Sequence, residues 1–314
     1  MLLKKLIKNL PAKKKRIFIL GLSTNSKKVK RGHIFFAIRG KISNGEKYIS
    51  EAIQKGAVAI VCSKNCKYTH KNIPIIKTTD TRYFLSKICA KFYKFKPKNI
   101  IAITGTNGKT SVADLFYQIL SLNNIPVASI GTLGFKYKKK IFKSKLTSPD
   151  TISLHEGLEK IKKNKIDNVI IEASSHGLHQ KRVEHLNLRA GIFTNFSQDH
   201  LDYHNSMSSY LNAKLHLFRN LLSSKKVIIS DKSIKEFSIL KNISKSKNLK
   251  LLDIANIKHK LLKIKKLKFH SDFQLNNLSM AISAAKLCNL KENKIFSVLD
   301  KIKEVNGRLE LIKT

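Results

Sequence analysis

One stretch constrains this chain more than any other: an apolar strand that runs into a glycine turn and then into a helix. Residues Ile100-Ile-Ala-Ile-Thr-Gly-Thr-Asn-Gly-Lys-Thr-Ser111 start as a β-branched run and end in a Lys-Thr pair. Gly105 and Gly108 allow tight or left-handed turns and close approach of the backbone to a ligand. The N–H groups of such a turn, with the helix N-terminus behind them, cradle anionic phosphate. Lys109 is then placed to neutralise nucleotide phosphates, and the Thr110 hydroxyl to ligate Mg²⁺. The general G-x4-G-K-[ST] pattern is not complete, because Ile103 stands where its first glycine belongs. That departure points to a particular subfamily of phosphate loops.

The rest of the chain organises around this loop. A length of 314 residues suits two domains, or two and part of a third. Residues 1–97 carry short strand-like runs (Ile17–Leu20, Ile34–Ile38, Val58–Val61) and a helical stretch near Tyr48–Lys55, separated by Gly and Asn turns. A basic segment closing at Pro97 reads as a linker. From Asn99, strands at Ile100–Thr104, Val127–Ile130, Val169–Glu172, Gly191–Asn195 and Val227–Ser230 alternate with amphipathic helices. The helices are expected at Lys109–Leu122, Ser153–Lys163, Ser208–Leu222 and Asn276–Leu287. This alternation predicts an α/β fold with a mostly parallel sheet. The Lys258–Lys268 run alternates in a way that fits a strand.

Charge raises a different possibility. With 62 Lys+Arg against 20 Asp+Glu, the net charge of +42 favours polyanions, so nucleic acid has to be weighed. Only eight of those residues are arginine, the side chain suited to bidentate phosphate and base-edge contacts. The lysines are spread along the whole chain beside abundant Ile and Asn, as a lysine-heavy coding bias would produce. No nucleic-acid partner is therefore expected. Cys62, Cys66, Cys89 and Cys288 show no zinc spacing and read as reduced thiols. No apolar run reaches membrane-span length, and the basic start lacks a signal peptide's apolar core. A cytoplasmic protein without stable membrane insertion is the expectation.

Two further segments carry chemistry. Asn168-Val-Ile-Ile-Glu172 puts a carboxylate at the carboxyl end of a buried strand, where open α/β sheets bind ligands and where it can hold Mg²⁺. A capped helix start at Ser174 or Ser175 is the plainer account of the residues after Glu172. Gly191-Ile-Phe-Thr-Asn195 leads into Asp199, His200, Asp202 and His204. A zincin reading of His200 and His204 lacks the glutamate it needs, since Leu201 stands there. Histidine is an unusual ligand for the hard Mg²⁺ ion, so the residue types alone leave His200 undecided.

Taken in order, these segments resemble the Mur ligase family, and within it the branch that adds the third residue of the cell-wall peptide. The matching stretches are Thr104-Gly-Thr-Asn-Gly-Lys-Thr110, Thr147-Ser-Pro-Asp150, Glu172-Ala-Ser-Ser-His-Gly-Leu-His-Gln-Lys-Arg-Val183 and Phe193-Thr-Asn-Phe-Ser-Gln-Asp-His-Leu-Asp-Tyr-His204. Ala213-Lys214 and Asn306-Gly-Arg-Leu-Glu310 come after them at the right places. The resemblance implies an N-terminal uridine-binding α/β domain (1–97) and a central P-loop ATPase-like domain (98–305). Residues 306–314 would begin a C-terminal Rossmann-like domain that is otherwise missing or separately encoded. It also implies an ATP- and Mg²⁺-dependent ligase that joins meso-diaminopimelate or L-lysine to UDP-MurNAc-L-Ala-D-Glu in peptidoglycan synthesis. Folylpolyglutamate synthetase belongs to the same group, and a non-catalytic nucleotide- or UDP-sugar-binding remnant is the reading from another class.

Residue roles come with the resemblance. Gly105, Thr106, Asn107, Gly108, Lys109, Thr110 and Ser111 would bind ATP, with Asn277 at the adenine and Arg308 completing the site. Thr110 and Glu172 would hold a first Mg²⁺; Glu172, His200 and a carbamylated Lys214 would serve a second. Lys109, Glu172, His200 and Lys214 would thus form the catalytic set. Without the resemblance, Lys214 would read as one more surface lysine. Ser26, Lys41, Ile42 and Ser43 would meet the uridine nucleotide, and Thr147, Ser148, Ser174, Gln180 and Arg182 the rest of the UDP-sugar dipeptide. Departures fall mainly on the nucleotide contacts: Asn25-Ser-Lys27 replaces Asp-Ser-Arg, and Asp272-Phe-Gln274 replaces Gly-x-Phe-Asn. Thr147-Ser-Pro149 also stands in place of Thr-Thr-Pro.

Overall fold

The computed structural model describes residues 1–7, 16–40, 43–138, 140–142, 146–264 and 267–303. Two compact units separate: Met1–Lys94 with Thr151–Glu156, and Phe95–Asp150 with Gly157–Thr314.

In the first unit, β1 (Gly21–Ser23), β2 (His33–Phe36), β3 (Ala57–Ser63) and β4 (Ile75–Thr78) lie side by side in that order. All pair in parallel. Strand side chains alternate between faces, and both faces here are covered. Ile34, Phe36, Ala59 and Val61 enter one core with Leu85 and Ile88 of the helix Thr81–Phe92. Phe35, Ala37, Ile60 and Cys62 enter the other with Ile49 and Ala52. Asp80 starts the Thr81–Phe92 helix by accepting the Tyr83 N–H at 2.9 Å, a cap typically worth about 1 kcal/mol. The expected strand at Ile17–Leu20 is displaced. Phe18 makes an isolated bridge to Leu2, and pairing with β2 begins only at Gly21.

The second unit is built on a sheet whose order among the described residues is β12-β11-β10-β5-β9-β6-β7-β8. The strands are β5 (Asn99–Thr104), β6 (Val127–Gly131), β7 (Gly134–Tyr137), β8 (Lys140–Phe142), β9 (Asn168–Glu172), β10 (Leu188–Phe193), β11 (Val227–Ser230) and β12 (Lys250–Asp253). All neighbours from β12 to β6 are parallel, while β6, β7 and β8 run antiparallel. The expected α/β class with a mostly parallel sheet is therefore what forms. The helix Lys109–Leu122 packs against the sheet and against the helix Asp272–Leu287, burying Val112, Phe116, Ile119 and Leu120. Each such side chain contributes about 1.5–3 kcal/mol. Ser271 and Gln274 form a capping box that fixes where the second of these helices starts. The start of the Lys258–Lys268 run is helical rather than a strand: Lys258–Leu262 belongs to the helix Ala255–Leu262, which packs on Asp272–Leu287, and residues 265–266 lie outside the described residues. Among the described residues no helix is long and apolar enough to cross a membrane.

Strand order places the chemistry. The phosphate loop leaves the central strand β5; its neighbour β9 ends in Glu172, and its neighbour β10 is followed directly by Thr194-Asn195. Ligands of open α/β sheets bind at these carboxyl ends.

Candidate active site

Two glycines set the course of the loop after β5. Gly105 takes φ +145°, and a Cβ there would lie 1.8 Å from Thr194 Oγ1. Gly108 takes φ +84°, and a Cβ there would lie 2.5 Å from Asn277 Oδ1. Residues that follow the neighbouring strand β10 then hold the loop's backbone. The Thr194 hydroxyl donates to Asn107 O at 2.6 Å, and Asn195 Oδ1 accepts the Asn107 N–H at 2.9 Å. The Thr106 hydroxyl donates to Ser197 O at 3.1 Å. Gly105→Ala is expected to destabilise the fold by about 1–3 kcal/mol or more, read as a lower urea midpoint with unchanged slope. An unchanged midpoint would show that the loop relaxes freely.

A cavity of about 670 Å³ opens over this loop, lined by Thr106 to Ser111 together with Glu172, His200, Lys214 and Phe273. The Lys109 ammonium folds back over the loop and donates to Gly105 O at 2.9 Å and Thr106 O at 2.6 Å. Glu172 is buried, which raises its carboxyl above the usual range; hydrogen bonds from Thr132 and Thr110 and the charge of Lys109 oppose that rise. Its Oε2 accepts from Thr110 Oγ1 at 2.9 Å and Thr132 Oγ1 at 3.1 Å, and its Oε1 accepts the Thr132 N–H at 2.9 Å. Gly131 is the residue that permits this, since a Cβ there would lie 2.0 Å from Glu172 Oε1.

Lys214 is fully buried, with its ammonium 2.7 Å from Gly105 O and 4.2 Å above the Tyr210 ring. Burial, then the charge of Lys109, push it down to about 6, with Asp199 opposing. His200 adopts φ +53° and leaves its side chain about half exposed beside Asp199. Its ring packs edge-on against His176 at 4.9 Å. His204 is buried next to His176, His179 and Lys214, and burial first, then these neighbours, hold it down at about 4.

The side chains of Ser148, Ser174, Gln180 and Arg182 lie together. Ser148 Oγ donates to Glu172 O at 2.8 Å and lies 3.0 Å from Ser174 Oγ. Ser174 caps the helix Ser175–His179 by accepting the Gly177 N–H. Arg182 donates to Ser148 O and to Gln180 Oε1, each at 2.6 Å. Asn277 is buried against Gly108. Ser26 and Ser43 belong to the first unit: Ser26 is buried in a short turn capped by Asn25, and Ser43 O accepts the Gly40 N–H. Lys41, Ile42 and Arg308 lie outside the described residues.

Three participants were not foreseen from sequence. Thr132 holds both oxygens of Glu172, Tyr210 roofs Lys214, and Tyr203 receives the Gln180 amide at 3.1 Å. The donor set around Glu172 consists of oxygens, which suits Mg²⁺. Lys214 as an ammonium does not suit a cation, whereas a carbamate would.

A family model described as "Mur ligase middle domain" matches residues 103–291, and one described as "Mur ligase family, catalytic domain" matches residues 19–93. The chain belongs to the Mur ligase family. Among Mur ligases it is similar to the UDP-N-acetylmuramoyl-L-alanyl-D-glutamate–2,6-diaminopimelate ligase of Rickettsia bellii (strain RML369-C), at 35% identity over 94% of this chain and 66% of that one. The ligase of the same name from Brucella melitensis biotype 1 is 30% identical over 96% of this chain and 66% of its own length. This Mur ligase chain therefore spans 66% of the length of these curated relatives. A solved structure of a ligase of that name superposes with a TM-score of 0.84 at 22% identity, over 100% of this chain and 69% of that one. A MurF ligase from Thermotoga maritima, solved in complex with ADP, gives 0.58 at 16% identity over 93% of this chain and 67% of that one. These two likenesses carry the fold alone.

Proposed function

We propose that this chain forms the nucleotide- and UDP-sugar-binding part of an ATP-dependent amide ligase. The reaction is addition of meso-diaminopimelate or L-lysine to UDP-MurNAc-L-Ala-D-Glu in cytoplasmic peptidoglycan synthesis. One observation carries this most: a buried carboxylate, Glu172, faces the phosphate-loop hydroxyl of Thr110 at 2.9 Å within one cavity. The identity of 30–35% to ligases of that name supports the choice of substrate.

The residues divide the work. The loop Gly105–Ser111 binds the nucleotide phosphates, and Lys109 balances their charge where a nucleophile must approach. Thr110 and Glu172 would hold Mg²⁺, with His200 and a carbamylated Lys214 serving a second ion; bound Mg²⁺ supplies charge neutralisation at the phosphates. Arg182, with Thr147, Ser148, Ser174 and Gln180, orients the sugar peptide, its guanidinium fork suited to carboxylate or phosphate. Ser26, Lys41, Ile42 and Ser43 are assigned to the uridine nucleotide, and Asn277 and Arg308 to ATP. A γ-carboxylate oxygen of D-Glu attacks the γ-phosphorus, the bond to the β-phosphate oxygen breaks, and ADP leaves. The amine of the incoming amino acid then attacks the acyl carbon, phosphate departs and the amine loses a proton. Positioning and electrostatic stabilisation account for most of the acceleration.

The test is phosphate release by the intact protein with each substrate omitted in turn. Release is expected only when ATP, the UDP-sugar dipeptide and the amino acid are all present. Nucleotide binding without amino-acid-dependent release would instead favour a non-catalytic binding protein.

A further inference from the structure

Three oxygens from three different strand ends face one another in the cavity. Thr110 Oγ1 comes after β5, Thr132 Oγ1 after β6, and Glu172 Oε2 ends β9. Their separations are 2.9 Å (Thr110 to Glu172), 3.1 Å (Thr132 to Glu172) and 3.4 Å (Thr110 to Thr132). In an octahedral Mg²⁺ shell with bonds of 2.0–2.1 Å, neighbouring ligand oxygens lie about 2.8–3.0 Å apart. The three atoms thus outline one triangular face of such a shell, and contraction by a few tenths of an ångström closes it.

We propose that the Thr132 hydroxyl is the third protein oxygen of the divalent-cation site and fixes which Glu172 oxygen binds the ion. This rests on the reading of the cavity as a Mg²⁺–nucleotide site. The Thr132 N–H occupies Glu172 Oε1 at 2.9 Å, which leaves Oε2 as the ion-facing atom and makes the carboxylate monodentate. Both threonine hydroxyls now donate toward Glu172 Oε2. To accept a cation they must turn their protons away and present lone pairs. For Thr132 an acceptor is already in place, since Thr147 Oγ1 lies 3.3 Å from its oxygen. The glycine at 131, which leaves no room for a Cβ against Glu172, shows that β6 and β9 are fitted to each other at this point. Thr147 belongs to the segment assigned to the sugar peptide, so the rotation would link ion binding to the substrate loop.

Mn²⁺ is the probe, its free concentration read by electron paramagnetic resonance in the presence of ADP, on the intact chain and on Thr132→Ser and Thr132→Val. Thr132→Ser keeps the hydroxyl and is expected to bind like the wild type. Thr132→Val keeps the shape and the N–H, and its affinity is expected to fall about 10–100-fold. Equal binding by the valine variant, or equal loss in both variants, overturns the assignment. A wild-type chain that binds ADP but no Mn²⁺ overturns the Mg²⁺–nucleotide reading itself, so the two failures are distinguishable. Should the valine variant not fold, Thr132→Cys replaces it. A thiol ligand there raises the preference for Cd²⁺ over Mn²⁺ about tenfold or more, and no change in that preference overturns the proposal.

Discussion

Alanine in place of Lys109 is expected to slow ATP-dependent phosphate release by about 10²–10³-fold while leaving the fold intact. The ammonium lies on the loop surface, held by the Gly105 and Thr106 carbonyls at 2.9 and 2.6 Å, so its removal empties no core. What is lost is the positive charge nearest the site assigned to the β/γ-phosphates. The change should appear in turnover as well as in nucleotide affinity, because charge at the transferring phosphoryl group matters most in the transition state. Parallel measurements of phosphate release and ADP affinity separate the two effects. Wild-type turnover in the alanine variant would remove the phosphate loop from the mechanism.

Lys214 gives the second large effect. Carbamylation requires an unprotonated amine, which adds to CO₂ and releases a proton. Burial and the nearby Lys109 charge lower Lys214 to about 6, so near pH 7.5 most of it is unprotonated. Incubation with ¹³C-bicarbonate is expected to give a carbamate carbon resonance in the wild type that is absent from Lys214→Met. The signal should fade as pH drops through 6, where the ammonium forms. A spectrum identical in the two proteins would leave Lys214 as a plain buried lysine. Stability carries the same sign. Between about 6 and the ordinary 10.5, the unfolded chain binds a proton at this residue that the folded chain does not. The contribution of unmodified Lys214 to stability therefore rises with pH across that window.

Much of the second unit was legible because its central strands are uninterrupted apolar runs. Val169–Glu172 and Val227–Ser230 were expected, and β9 and β11 form at Asn168–Glu172 and Val227–Ser230. The edges were harder to read. β12 is Lys250-Leu-Leu-Asp253, a short strand whose charged ends give no alternation, and β7 and β8 sit in a lysine-rich stretch. The start of the Lys258–Lys268 run misled because lysines separate the run's apolar residues at spacings that satisfy period 2 and period 3.6 alike; packing against Asp272–Leu287 decides for the helix through Leu262. In the site, Lys109, Thr110 and Glu172 were visible as residues at or just past the ends of buried strands. Thr132 was not, since Gly131-Thr-Leu-Gly134 reads as a turn until the position of β6 beside β9 brings it to Glu172. Tyr210 reads as an ordinary apolar helix position until Lys214 is found one turn later beneath its ring.

The strand order that centres β5 also governs when this loop can exist. Its shape depends on partners far along the chain: Thr106 to Ser197 closes 91 residues, Asn107 to Asn195 closes 88, and Lys214 to Gly105 closes 109. Contacts of such separation form late, because the entropy of closing long loops must be met before they stabilise anything. A polypeptide emerging from the ribosome with β5 and the first helix complete would still lack Thr194, Asn195 and Lys214. Nucleotide capture should therefore wait until synthesis has passed Lys214. A fluorescent ADP analogue would then report completion of the sheet during refolding, well after helical signal has returned.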